Sequence, residues 1–433
     1  MAKKPHHLAF HWAWGLRAHF NSLIAIVAVF ALILTLSLTT ISAPKPVLST
    51  PRNSSSTEKT ISAPKPVLPT LRNSSSTEKC NLFSGRWVYD DSSTHPLYSG
   101  LLCPYIHDEI GCDKYGRNDT SYQKWRWQPN QCNLPSFNST KLLERLRDKR
   151  MVFVGDSLNR NQWVSMVCLL ESSIPVYEKS MNYNGSTLSF YAKKYNATVD
   201  FYWAPLLLES NCDNPVKHRV SNRMFRAGAV ETHAKHYANA DILIFNSYLW
   251  WKKPGMKMKI LHGSFDDKVQ VYDEVEMIKG FEIALKTWSQ WLQDNVRLHK
   301  KEFYFMSLSP THAWGESLGE DSFQNCYNET KPIRNVNYKG RGQDFDIMHI
   351  AGSVINQLQM KGVNIQFLNI THLSEFRKDG HPSIYRKFWD TLSEEQLANP
   401  SSFSDCTHWC LPGVPDVWNE LLYAHIFSKH AEE

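Results

Sequence analysis

The stretch VFVGDSLNR, residues 152–160, decides how the rest of the chain is read. Three apolar residues run into Gly155, Asp156 and Ser157, and a polar run with Asn159 and Arg160 follows. This is the pattern of a buried strand that turns on a glycine into a helix. A Ser or Asp at such a junction is most often a helix cap, its side-chain oxygen accepting from the first free backbone N–H groups. The other reading makes Ser157 a nucleophile, which requires a base within reach and a group to orient that base. Asp156, at the helix entrance, is read as support for the turn.

Working outward, apolar runs of strand length recur at 151–155, 199–205, 241–247, 302–310 and 364–370. Between and around them, 140–150, 281–296, 344–359 and 414–427 carry apolar residues at helical spacing. Alternation of this kind predicts an α/β fold with a parallel sheet flanked by helices. Functional residues of such sheets gather at the carboxyl ends of the strands. Ser157, Asn246 and Ser309 all fall at those ends.

Near the C-terminus, residues 404–413 read SDCTHWCLPG, with Asp405 three positions before His408. In a tight turn that spacing lets the carboxylate reach the imidazole, as a general base requires. The plainer alternative is a turn capped by Asp405, with His408 an ordinary polar residue. Cys406 and Cys410 raise a third, zinc, but their spacing around His408 is tighter than the usual zinc patterns. No metal is expected; the two cysteines are read as disulfides pinning this loop.

The chain's 433 residues, 42% hydrophobic, are enough for a sizeable core. A net charge of +6 without a long Lys/Arg block gives nucleic-acid binding no support. Fifteen tryptophans, some in polar surroundings such as 125–127 and 250–251, suit either core packing or stacking on sugar rings. Lys3, Lys4 and Arg17 precede an uncharged run from Phe20 to Leu38, long enough to cross a bilayer. A cleaved signal peptide is the competing reading.

The expected organisation is a cytoplasmic tail (1–19), a membrane anchor (20–39), a stem (40–79) and a lumenal domain (80–433). The stem is a tandem repeat, TISAPKPVLSTPRNSSSTEK and then TISAPKPVLPTLRNSSSTEK, too polar and proline-rich to pack a core. Within the lumenal domain, 80–140 reads as a Cys/Trp-rich subdomain held by disulfides and 141–433 as the α/β body. Of nine cysteines, Cys80, Cys103, Cys112, Cys132, Cys168, Cys326, Cys406 and Cys410 are the disulfide candidates, with Cys212 left over. Sequons at Asn53, Asn73, Asn118, Asn138, Asn184, Asn196, Asn328 and Asn369 agree with lumenal entry.

GDS together with a C-terminal DxxH is similar to the GDSL-type, or SGNH, hydrolase arrangement. CNLFSGRWVYD (80–90), YQKWRWQPNQCNLPSFN (122–138), FVGDSLNRNQWVSM (153–166), YWAP (202–205), RKDGH (377–381) and DCTHWCLPGVPDVWNELLYA (405–424) narrow it further. With these motifs the chain resembles the plant trichome birefringence-like polysaccharide O-acetyltransferases, and most closely the branch that acetylates xylan. The resemblance implies an SGNH-like fold, Ser157 as nucleophile, His408 as base and Asp405 as its orienter. It implies transfer through an acetyl-serine to O2 or O3 of xylosyl residues, in the Golgi lumen.

No bound cofactor is implied, but an acetyl donor is required, acetyl-CoA or another carrier. The Ser157 backbone N–H and Asn246 are the oxyanion candidates. Arg160 and Asn159 either line the pocket or hold the turn, and Trp250, Trp251 and Trp409 are candidates for sugar stacking. Competing readings are an acetylesterase, an acetyltransferase for mannan, xyloglucan or pectin, and a non-catalytic glycan-binding wall protein.

Overall fold

The computed structural model describes residues 80–433, apart from 91, 93, 253–255, 297–300, 314–324, 336–337, 339–344 and 429–433. The expected tail, anchor and stem, with Asn53 and Asn73, lie outside the described residues. A short antiparallel pair, β1 (Gly85–Tyr89) and β2 (Trp125–Pro129), opens the fold. Helix α1 (Ser139–Arg145) then leads into β3 (Arg150–Gly155) and α2 (Ser157–Glu171). Strands β4 (Lys179–Asn184), β5 (Thr187–Ala192) and β6 (Ala197–Trp203) follow, then β7 (Met224–Phe225) and β8 (Ile242–Phe245). After β9 (Lys257–His262) and β10 (Val271–Glu276) come α3 (Met277–Val296), β11 (Glu302–Met306), α4 (Phe345–Met360), β12 (Ile365–Leu368) and α5 (Val414–Ser428).

Among the described residues the main sheet has seven strands in the order β12-β11-β8-β3-β6-β5-β4. β12, β11, β8, β3 and β6 run parallel, as expected. β5 and β4 do not: the hairpin 179–192 joins antiparallel and caps the β6 edge. This hairpin was not foreseen, because β4 is mostly exposed and lacks the apolar run of a central strand. The expected strand 302–310 ends at Met306 and the expected helix 140–150 ends at Arg145, with Arg150 already in β3.

β3 is the first parallel strand, and its neighbours β6 and β8 lie on opposite sides of it. The chain reverses its winding here, and the carboxyl end of such a strand is where open α/β sheets form their sites. Helix α2 leaves from that point and is buried along nearly its whole length. A helix apolar on one stripe only would not tolerate this; α2 packs on β3 and β6 on one side and α5 on the other. Trp163 locks it down by donating to the Val199 carbonyl at 2.9 Å.

All eight candidate cysteines pair, as Cys80–Cys132, Cys103–Cys168, Cys112–Cys410 and Cys326–Cys406, and Cys212 is a buried free thiol. The six sequon asparagines among the described residues, Asn118, Asn138, Asn184, Asn196, Asn328 and Asn369, are exposed. No helix among the described residues is long and apolar enough to cross a membrane.

Candidate active site

Ser157 is the first residue of α2, delivered by β3 through a turn with no room to vary. A Cβ on Gly155 would lie 2.3 Å from the Asn246 carbonyl oxygen and 3.0 Å from Asn159 Nδ2. Asp156 is the N-cap, its Oδ1 accepting from the Leu158 N–H at 2.9 Å, and burial raises its carboxyl to about 6. Asn159 donates through Nδ2 to the carbonyls of Val154 (3.0 Å) and Ile244 (3.1 Å), tying the turn to two strands. Asn159 therefore holds the turn and is buried there, away from the cleft.

The loop 404–413 brings its pair to Ser157 from 251 residues away. His408 Nε2 lies 2.8 Å from Ser157 Oγ, and His408 Nδ1 lies 2.8 Å from Asp405 Oδ2. Asp405 Oδ1 accepts from the backbone N–H groups of Thr407 (3.0 Å) and His408 (3.1 Å), so the carboxylate is fixed by its own turn. Asp405 thus caps its own turn with Oδ1 and meets the His408 ring with Oδ2. Cys406 and Cys410 spend their sulfurs in disulfides to Cys326 and Cys112, which leaves no thiolates for zinc.

A second loop, 377–383, braces the first. Ser383 and Asp405 exchange backbone hydrogen bonds at 2.9 and 3.0 Å, and Cys410 N–H donates to the Gly380 carbonyl at 2.9 Å. His381 Nδ1 lies 2.6 Å from the His408 carbonyl oxygen, and His381 Nε2 lies 2.6 Å from His312 Nδ1. The Trp409 ring stacks on His381 with centroids 4.0 Å apart. The buried pair Arg377–Asp379 and the guanidinium of Arg117, which donates to the carbonyls of Asp379 and His381, hold this second loop in turn.

Burial is the largest influence on His408 and opposes its protonation, but Asp405 beside it, aided by Glu109, carries its pKa above the ordinary value. Asp405 moves the other way: burial opposes its charge, and the His408 contact wins, holding it well below the usual carboxylate range. The pair is the arrangement of an orienting carboxylate and a base that accepts a hydroxyl proton. The Ser157 backbone N–H, in the first turn of α2, has no intrahelical partner by position and faces growing negative charge favourably.

Ser157, Asp405 and His408 share a cleft of about 650 Å³ with Glu109, Arg160, Trp250 and others. Arg160 does both things open to it, lining the cleft while paired with Glu109 at 2.8 Å. Trp250 lines the cleft wall. Three candidates are corrected. Trp251 and Trp409 are 1% and 0% exposed and donate to Ser247 Oγ and Ser309 Oγ, so they are core residues that cannot stack on a sugar. Asn246 is buried with its Nδ2 turned to the Met306 carbonyl at 3.5 Å; it shapes the Gly155 turn with its backbone and does not present a donor to the cleft.

Residues that the sequence reading passed over are His312, His381 and Glu109 around the 404–413 loop, and Arg219, Arg223, Arg386 and Trp389 in the cleft wall. RKDGH was visible as a motif. The arginines had no local signal, since their partners and their cleft are assembled from distant segments.

The GDSL/SGNH-like acyl-esterase family found in Pmr5 and Cas1p matches residues 134–425, and the PMR5 N-terminal domain matches 78–133. Similar proteins include xylan O-acetyltransferase 12 of Oryza sativa subsp. japonica, 56% identical over 353 residues, 81% of this chain and 70% of the relative. Xylan O-acetyltransferase 13 of the same organism is 56% identical over 352 residues, with the same coverage. Protein trichome birefringence-like 34 of Arabidopsis thaliana is 48% identical over 420 residues, 96% of this chain and 98% of the relative.

Proposed function

The chain belongs to the GDSL/SGNH-like acyl-esterase family found in Pmr5 and Cas1p, and from that premise we propose that it is a xylan O-acetyltransferase working through an acetyl-serine. The observation that carries the reading is the unbroken contact Asp405–His408–Ser157, with both links at 2.8 Å, in a cleft of about 650 Å³. The relatives named as xylan O-acetyltransferases support xylan as the acceptor.

In the first half-reaction, Ser157 Oγ attacks the acetyl carbonyl carbon of the donor while His408 Nε2 takes the hydroxyl proton. Asp405 holds the Nδ1–H and stabilises the imidazolium. The tetrahedral oxyanion is met by the Ser157 backbone N–H at the α2 terminus. As the bond to the leaving group breaks, His408 returns the proton to it, and acetyl-serine remains. In the second half, His408 deprotonates a xylosyl O2 or O3 hydroxyl, that oxygen attacks the acetyl-serine, and the proton passes back to Ser157 Oγ. The donor is an acetyl carrier such as acetyl-CoA.

This reading sets the domain in the Golgi lumen, tethered by residues 20–39, and the four disulfides and the exposed sequons support it. Sensitivity of the membrane-bound protein to an N-glycosidase, with protection from added protease, checks the topology.

The test of activity is incubation with deacetylated xylo-oligosaccharides and an activated acetyl donor, followed by mass analysis. Gain of acetyl groups by xylan, and failure of Ser157→Ala to produce it, is expected. Loss of acetyl from acetylated xylan with no gain identifies an esterase, a reading that the solvent access of the cleft favours, His408 being 19% exposed at its side chain. Parallel assays with mannan, xyloglucan and pectin fragments fix the acceptor.

A further inference from the structure

Four arginines line the cleft that holds Ser157: Arg160, Arg219, Arg223 and Arg386. The acids lining it among the described residues are Glu109 and Asp405, and both are committed, Glu109 to Arg160 at 2.8 Å and Asp405 to His408 at 2.8 Å. Arg219, Arg223 and Arg386 have no carboxylate partner among the described residues. Arg223 gives a donor to the Trp250 carbonyl and lies over its ring at 4.8 Å, yet its buried Nε–H has no acceptor. Arg386 reaches the Phe403 carbonyl at 3.4 Å, packs on Phe388, and likewise leaves a buried Nε–H unmet. Buried donors without partners are costly, on the order of 1–3 kcal/mol each and more for charged groups, so a fold keeps them where something else supplies the acceptor.

Arg219 and Arg386 also line an adjoining depression of about 290 Å³ that shares Asp405 and His408 with the cleft. The exposed Trp389 borders both spaces, and Asp390 lines the smaller one. His218 brings no fixed charge, since burial lowers its pKa. Beside the nucleophile there are therefore three guanidinium groups, forked donors matched to planar or tetrahedral oxyanions, in a concave wall that concentrates their field.

We propose that the Ser157 cleft contains an anion subsite, formed by Arg219, Arg223 and Arg386, that docks a phosphate or carboxylate group carried by one of the two substrates. A phosphate would come from the acetyl donor and a carboxylate from an acidic sugar on the acceptor. The proposal rests on Ser157 as the reacting centre, and its test is a binding measurement that does not need turnover.

Calorimetry at low and at moderate salt compares coenzyme A, a xylo-oligosaccharide bearing a uronate, and the same oligosaccharide without it, on the wild-type lumenal domain, Arg219→Gln and Arg386→Gln. Arg219 is exposed, so its substitution leaves the fold intact even if Arg386→Gln disturbs the Phe388 packing. The expected result is tighter binding of an anionic probe, weakened about tenfold or more by either substitution and by added salt. Dependence confined to coenzyme A assigns the subsite to the donor; dependence confined to the uronate assigns it to the acceptor. Anionic probes that bind no better than the neutral one, or that ignore both substitutions, overturn the proposal. A domain that transfers acetyl groups but fails this test loses the subsite and keeps its function; one that binds anions but transfers nothing does the reverse.

Discussion

His408 must be neutral to take a proton from Ser157, and Asp405 raises the pH at which that happens. With its pKa above the ordinary 6.5, the acid limb of kcat/KM is expected above pH 6.5. Asp405→Asn removes the charge that raises His408, so the limb should move to lower pH while kcat falls by about 100- to 10,000-fold, which a pH–rate series on both proteins checks. The sign for stability is opposite to that for activity. A histidine raised on folding contributes stability that is fully present below its unfolded pKa and lost as pH rises through the folded value. Asp405, depressed on folding, contributes stability present above its unfolded 3.8 and lost as pH falls. Gly155→Ala tests the turn itself. Its Cβ would meet backbone at 2.3 Å, not a movable side chain, so a lowered melting temperature and weakened acetyl transfer are expected together. The residues that meet as Ser157, His408 and Asp405 were legible in the sequence because GDS and DxxH are local patterns, whereas the fates of Asn159, Arg160 and Asn246 depended on partners contributed by other strands and loops. The tryptophans misled for a related reason: a buried indole and a sugar-stacking indole have the same letter, and only Ser247 and Ser309 at Trp251 and Trp409 separate them.

At the level of elements, the loop 404–413 that carries Asp405 and His408 has no helix or strand to stiffen it, and its precision comes from what is laid against it. Each disulfide restricts the unfolded chain, and removal of one costs about 2–5 kcal/mol. Cys326–Cys406 anchors the residue next to Asp405, so the Cys326→Ala/Cys406→Ala pair should lose acetyl transfer at temperatures where circular dichroism still reports a folded domain. His381 acts at one remove. Its Nδ1–H donates to the His408 carbonyl and its ring stacks on Trp409, so it positions the base without touching the substrate. His381→Ala should lower kcat with little change in KM, and the pH limb set by Asp405 should stay in place; a shift of that limb would mean a direct part in the titration. RKDGH was visible in the sequence as a motif, but its job was not, because the bracing bonds cross from 380 to 410 and from 383 to 405. Parallel strands announced themselves as buried apolar runs. The hairpin 179–192 did not, since its outer strand β4 lies at the sheet edge, exposed and polar, and carries no such run.

Over the whole molecule, the matched families divide the chain at 133/134, while the packing does not. Cys103–Cys168 ties the N-terminal segment to α2, the helix that begins with Ser157, and Cys112–Cys410 ties it to the 404–413 loop across 298 residues. Tyr98 donates to Asp416 Oδ1 at 2.9 Å, and that carboxylate, raised to about 7 by burial, also accepts from Ser165 and from the Gly413 N–H. Arg117 reaches the carbonyls of Asp379 and His381, and the Arg377 guanidinium covers the Trp87 ring at 4.5 Å. The cysteine count made a disulfide-held segment legible, but not its partners, because spacing does not choose among pairings. With the pairings known, the segment is part of the site's foundation. A chain beginning at residue 134 would keep Ser157, Asp405 and His408, yet leave Cys168 and Cys410 unpaired and the Asp379 and His381 carbonyls without Arg117. Secretion of residues 80–433 and of 134–433 from the same host, compared by yield, thermal melting and acetyl transfer, should give a folded active protein only for the longer chain. An active 134–433 would show that the 404–413 loop is held by Cys326–Cys406 and the 377–383 loop alone.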